Sequence, residues 1–335
     1  MKDVQYRRFQ NHRRFGVELE IGNEVKKKAV QAVISEFSNF DVIVSRYSLS
    51  TNNSYWHIKD DATCGIKGRN GPKGVEIASF VGNSSSDLEH IANIAEKLSL
   101  AGCKTNDNCG LHIHAEVNDL TIEQLSVVVA CWIKFERVLS YILPIRRYIS
   151  DYCKFFFHPD LKKTMKNSLL YRDFNYAPDI FWNIIVPQNL NFHENDDRRF
   201  NLNLVNLVRA IKMDSKNRRT LELRWPEGTL NSKDIRCWVR IFLNFIQTCK
   251  DKKMPENLHS FNLQESLDHL GLNHENNSFL ILSSQLFETK TWFLERIIEN
   301  HKDAVYFYKN DLTCLALNEA KKILDEMWSP IKNYA

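Results

Sequence analysis

"RRFGVELEIGNE", residues Arg13 to Glu24, places Glu18 and Glu20 two positions apart inside an apolar run. Side chains alternate faces along a strand, so these two carboxylates share one face while Val17, Leu19 and Ile21 take the other. Along that face they stand roughly 6.6 Å apart. At that spacing like charges repel unless solvent, or a cation, lies over them. The same alternation recurs downstream. His112 and His114 share a face, as do Glu222 and Arg224, with Leu111 and Ile113 or Leu221 and Leu223 on the reverse; Glu76 adds one carboxylate on another short strand. Strands with one oily and one ionic side predict an antiparallel sheet in an α+β fold, its apolar face covered by helices.

Composition is that of an ordinary globular chain. It has 335 residues, 43% hydrophobic and 26% charged, and a formal net charge of +4 that allows anionic ligands without requiring nucleic acid. "KNRRTLELR" runs directly into an apolar alternation, which argues against a nucleic-acid patch. Eight cysteines are scattered without a C-x-x-C pair, which predicts reduced, mostly buried thiols. The N-terminus has no signal-like apolar run, and "LSVVVACWI" is far too short to cross a bilayer, so a cytoplasmic protein is expected.

Between the strands, periodicity predicts helices over "NEVKKKAVQAVISEF", over a segment opening at Ser86 with Leu88, Ile91, Ala95 and Leu98 on its apolar stripe, and behind a Thr121/Gln124 capping box. "FDVIVSRYSL" has the pattern of a strand, and "SKDIRCWVRIFLNFIQTC" opens a helical C-terminal part. Residues 144–196 are irregular and rich in aromatic side chains, among them Phe155, Tyr171 and Trp182, more suited to packing or to covering the sheet than to stacking a base. No repeat or low-complexity linker divides the chain. It is expected to form one unit, with a core over 1–231 and helices over 232–335 packed on it.

Several carboxylates with at most one imidazole suit a hard cation, magnesium or manganese, better than zinc. Arginines fork onto phosphate oxygens with two parallel donors, which Arg199, Arg219 and Arg224 could supply. Together these point to phosphoryl transfer, where catalysis is mostly positioning and charge neutralisation. No Walker A sequence is present.

The order "FGVELE", an Asp followed by "GVEIAS", "NCGLHIHAEV", "RRFNLNL" and "RTLELRWPEGTL" resembles the amidoligase family of the glutamine-synthetase-like carboxylate-amine ligases, over roughly residues 14 to 231. The resemblance implies a curved antiparallel sheet and an ATP-dependent ligase. A carboxylate attacks the γ-phosphate, and an amine captures the acyl phosphate. It implies Glu18, Glu20, Glu76, Glu222 and His112 as ligands of two or more magnesium ions, with His114 nearer ATP or substrate. Arg199, Arg224 and Asn203 would contact the nucleotide, with Arg219 beside them, and Asp61 would orient the amine. Thr63 and Phe80 stand where family members often carry Ser and Pro. The substrates implied are a small-molecule or peptide carboxylate and an amine, with no membrane partner. The same face would also serve a small-molecule kinase or a non-catalytic nucleotide-binding module.

Overall fold

The computed structural model describes residues 13–23, 25–45, 54–65, 74–155, 199–212, 219–253, 262–273, 284–308 and 312–332. It is a mixed α+β structure in two compact units. One comprises Asn11–Glu116 with Thr220–Arg240. The other comprises Met1–Gln10, Val117–Arg219 and Ile241–Ala335.

The first unit is built on a sheet. Its strands are β1 (Phe15–Ile21), β2 (Val42–Val44), β3 (Trp56–Asp61), β4 (Gly74–Ala78), β5 (Leu111–Glu116) and β7 (Thr220–Leu223), in the order β2-β3-β4-β1-β5-β7. Pairing is antiparallel except that β2 runs parallel to β3. The expected all-antiparallel sheet is corrected at that edge. Parallel neighbours cannot be joined by a two-residue hairpin, and eleven residues separate Val44 from Trp56.

The alternation seen in the sequence holds in space. Val17, Leu19, Ile21, Leu111, Ile113, Val75, Ile77, Leu221 and Leu223 are each 1% exposed or less. Burying a side chain of this size is worth about 1.5–3 kcal/mol, so a one-residue slip in register would lose every such contribution on one strand. The described helices of this unit include α1 (Lys27–Phe37) and α2 (Ser85–Leu100). α1 packs on β2, β3 and α2. The Trp56 indole N–H donates to Ser38 Oγ at 3.0 Å, and Phe80 stacks on Phe40 at 3.8 Å while lying edge-on to Trp56. Leu88, Ile91, Ala95 and Leu98 of α2 are buried as their spacing requires.

α2 begins earlier than Ser86. Ser84 is the N-cap: its Oγ accepts from Asp87 N at 3.1 Å, and the Asp87 carboxylate accepts from Ser84 N at 3.0 Å. This reciprocal box needs its acid three residues after the hydroxyl, which selects Ser84 over Ser86. Ser84→Ala is expected to lower unfolding stability by about 1 kcal/mol, read by chemical denaturation. At the other end Gly102, with φ of +88°, follows the last turn of the helix in the left-handed conformation that glycine favours.

The second unit contains α3 (Ile122–Ser140), α4 (Ile145–Tyr148), β6 (Leu202–Asn203), α5 (Val205–Lys212), α7 (Leu263–His269), α8 (Ser284–Tyr308) and α9 (Leu312–Lys332). The helix α6 (Ser232–Cys249) carries the division between units, at Arg240/Ile241. The Thr121/Gln124 capping box opens α3, most of which is buried. Trp132 meets Phe242 and Phe245 edge-on, at 6.1 and 5.3 Å, and donates its indole N–H to Asn201 Oδ1 at 3.1 Å. Tyr171 and Trp182, like most of 144–196, lie outside the described residues. All eight cysteines are free thiols and seven are buried. Among the described residues no helix is long and apolar enough to cross a membrane.

Candidate functional site

Cross-strand register gathers the ionic side chains of the first unit on one sheet face. Glu18 lies opposite His112 on one side and Ala78 on the other; Glu20 lies opposite Glu76, and Glu76 opposite Lys59. His114 lies opposite Glu222. Four strands from distant parts of the sequence thus bring Glu18, Glu20, Glu76, His112, His114 and Glu222 together, with Arg224 just beyond the end of β7 and Asp61 at the end of β3.

The contacts are close. Glu18 takes His114 Nε2 at 3.1 Å and His112 Nδ1 at 3.2 Å on its two oxygens. His112 Nε2 stands 3.6 Å from Glu20 Oε1, and its Nδ1 stands 4.0 Å from Glu222 Oε1. His112 therefore bridges three carboxylates. Arg224 donates to Glu222, and Lys59 Nζ lies 2.6 Å from Glu76 Oε1. Gly110 N donates to Glu20 Oε2 at 2.6 Å. Glu20, Glu76, His112 and Glu222 are all less than 8% exposed, so little water screens these charges.

Burial opposes ionisation of Glu18, but the facing His114 and His112 outweigh it and hold the carboxyl well below its usual range. Burial likewise opposes ionisation of Glu222, and His114 with Arg224 brings it down. Glu76 behaves oppositely. Burial and the Glu18 charge push it up to about 8, which Lys59 only partly offsets. Burial disfavours the charged form of His114, yet Glu18 and Glu222 raise it to about 9. Asp61, though burial opposes it, is lowered by the Thr63 side chain and backbone N–H, which donate at 2.6 and 2.7 Å. Thr63 thus supplies the hydroxyl that the family pattern places there as Ser.

Two groups of three side chains have ligand atoms all within 4.8 Å of one another: Glu18, His114 and Glu222, and Glu20, Asp61 and Glu76. A mostly oxygen donor set with a raised carboxyl among its members fits a hard divalent cation, whose charge would favour the ionised form of Glu76. Asp61 joins the acids here, a position that the sequence assigned to orienting the amine. His114 is the imidazole within a three-ligand group, whereas the family pattern favours His112.

The remaining candidates belong to the other unit. Arg199 is exposed, and its carbonyl accepts from Lys154 N. Asn203 is buried and accepts from Val205 N at 2.9 Å, at the start of α5. Arg219 is half-buried, and its carbonyl accepts from Val117 N. Lys59 and the Gly110 N–H were not singled out from sequence. The period-2 signal that groups Lys59 with Asp61 on β3 was present, but backbone donors leave no residue-type signature.

Of the small residues beside these strands, Gly110 is required by space and Gly16 is not. A Cβ on Gly110 would sit 2.7 Å from His112 Nε2, whereas one on Gly16 meets nothing within 4 Å. Gly110→Ala is expected to displace His112 and lower unfolding stability by about 1–3 kcal/mol, with Gly16→Ala near wild type, both read by chemical denaturation.

The family model described as "Putative amidoligase enzyme" matches residues 11–246. The chain belongs to this amidoligase family. The match begins just before β1 and ends inside α6, so it takes in every strand of the acid face. No curated protein matches the chain. Membership identifies the amidoligase as an amide-bond-forming ligase by family, and makes the shared face of β1, β4, β5 and β7 the natural place to seek its chemistry.

Proposed function

We propose that this amidoligase joins a carboxylate to an amine at the expense of ATP, through an acyl phosphate, on a glutamine-synthetase-like sheet. The observation that carries this is the pair of three-ligand groups on one face, each containing one of the two β1 carboxylates. Two hard cations can therefore be held side by side.

Glu18, Glu20, Glu76 and Glu222 would hold magnesium, or manganese, with one imidazole. Magnesium, when bound there, neutralises charge on the transferring phosphoryl group. His114 is the imidazole of one of the three-ligand groups, and His112, which the family pattern favours, bridges Glu18 and Glu20 beside it. Arg224, oriented by Glu222, presents a guanidinium to the same phosphates. The substrate carboxylate attacks the γ-phosphorus and ADP leaves. The amine then attacks the acyl carbon, loses a proton and expels phosphate. Asp61, its carboxyl lowered by Thr63, belongs to the second of the three-ligand groups, with Glu20 and Glu76. The acid is a small molecule or a peptide.

The same geometry would serve a small-molecule kinase, so the test reads products. Incubation with Mg-ATP and pools of acids and amines is expected to give ADP, phosphate and an amide, with ADP formation requiring both acid and amine. A stable phosphorylated acid, unaffected by amine, would make it a kinase. Bound nucleotide without turnover would make it a binding module.

A further inference from the structure

We propose that Glu20, Cys64 and Cys109 form a site for a thiophilic divalent cation of the zinc class, distinct from the hard-cation groups but sharing Glu20 with them. The three side chains come from different segments: β1, the turn after β3 and the turn before β5. Their ligand atoms lie within 4.8 Å of one another, and the residues are 6%, 0% and 1% exposed. Zinc binds thiolate at about 2.3 Å in tetrahedral geometry, which places two sulfurs roughly 3.8 Å apart. The two sulfurs need close by about 1 Å at most, a side-chain adjustment.

The ligands are held in place before any ion arrives. Asn106 N donates to Cys109 Sγ at 3.4 Å, and Asn106 Nδ2 donates to the Cys64 carbonyl at 2.8 Å and to the Gly22 carbonyl at 3.2 Å. Gly110 N fixes Glu20. Backbone closes on the pair from three further places. A Cβ on Gly22 would stand 2.9 Å from Cys109 Sγ, one on Gly74 2.4 Å from Cys64 Cβ, and one on Gly228 2.4 Å from Cys109 Cβ. Such supporting contacts are what orient metal ligands.

Two thiols bonded to each other in a core would explain their own contact. Glu20, although it accepts from Gly110 N, sets a carboxylate within the same 4.8 Å, and thiols are only weak donors to it. A zinc-class ion satisfies all three. Magnesium does not compete well here, because hard cations avoid sulfur. On binding, two S–H bonds break and their protons go to solvent while two metal–sulfur bonds form, with no change of oxidation state. The fourth position is left to water or to Asp61, whose carboxyl the Cys64 side chain helps to lower. If the ligase proposal holds, on which this consequence alone rests, such an ion withdraws Glu20 from the magnesium group and inhibits turnover.

The test uses the reduced full chain without nucleotide, titrated with cobalt(II) alone, and therefore succeeds or fails independently of ligase activity. A thiolate-to-cobalt charge-transfer band saturating at one equivalent is expected. It should vanish in Cys64→Ser and in Cys109→Ser and persist in Cys131→Ser and Cys314→Ser. No band while all eight thiols titrate as free, or a band that survives both serine variants, overturns the proposal. Should those variants fail to fold, X-ray absorption on the zinc-loaded Cys131→Ser protein decides: two sulfur neighbours support the site, and an oxygen and nitrogen shell overturns it.

Discussion

Glu20→Gln is expected to reduce magnesium-dependent ADP formation by at least about a hundredfold, since even the outer partners of metal ligands commonly cost 10- to 100-fold when changed. The substitution is close to isosteric. Its amide oxygen can still accept from Gly110 N, the 2.6 Å bond that now fixes the carboxylate. What disappears is one negative charge opposite Glu76 in the β1–β4 register. The metal-free variant should therefore unfold at the same temperature as wild type or slightly higher, because repulsion within the acid cluster is relieved. The two proteins separate when Mg-ATP is added. A ligand at about a hundred times its dissociation constant adds roughly 2.7 kcal/mol to native stability. Wild type should show that shift in differential scanning fluorimetry, dependent on magnesium, and Glu20→Gln should not. An equal shift in both would remove Glu20 from the metal set and with it the main support for the proposed chemistry.

Strand alternation made much of this face legible in the sequence. In β1, period 2 alone separates Glu18 and Glu20 from Leu19 and Ile21, and burial of the latter pair is nearly complete. In β5 it separates His112 and His114 from Leu111 and Ile113 in the same way. Local patterns of this kind depend on neighbours within a few residues, so a single chain displays them. Non-local pairing is another matter. Nothing in "FDVIVSRYSL" says that β2 will lie parallel to β3, because that choice depends on the route of the intervening chain. Nor does the chain mark that Thr220–Arg240 joins the same unit as Asn11–Glu116, while the stretch between them, with Arg199, Asn203 and Arg219, falls in the other. Cys64 and Cys109 are separated by all of β4 and α2, with no motif linking them. Only the fold sets both beside Glu20.

Magnesium stabilisation should grow steeply with pH, through Glu76. Burial and the neighbouring Glu18 charge raise its folded pKa to about 8, against an ordinary value of 4.5. Between those values the native protein keeps a proton that the unfolded chain has released, so metal-free stability falls as pH rises. His114, raised from 6.5 to about 9, acts with the same sign over a higher window. Glu18 and Glu222 have lowered values, so their contribution is lost only as pH falls below the usual carboxylate range, outside this interval. A cation between Glu20, Asp61 and Glu76 reverses the trend by favouring the ionised form. Below the folded pKa it must displace the Glu76 proton, so its affinity rises up to about tenfold per pH unit. The magnesium-induced rise in Tm is therefore expected to be small at about pH 6 and large at about pH 8, with close to one proton released per ion in weakly buffered solution. Glu76→Gln should flatten the magnesium dependence and suppress the proton release, and Lys59, freed from its 2.6 Å partner, should not restore either. A magnesium shift of equal size at both pH values in wild type would show that the ion binds without touching Glu76, and would move the second cation group off β4.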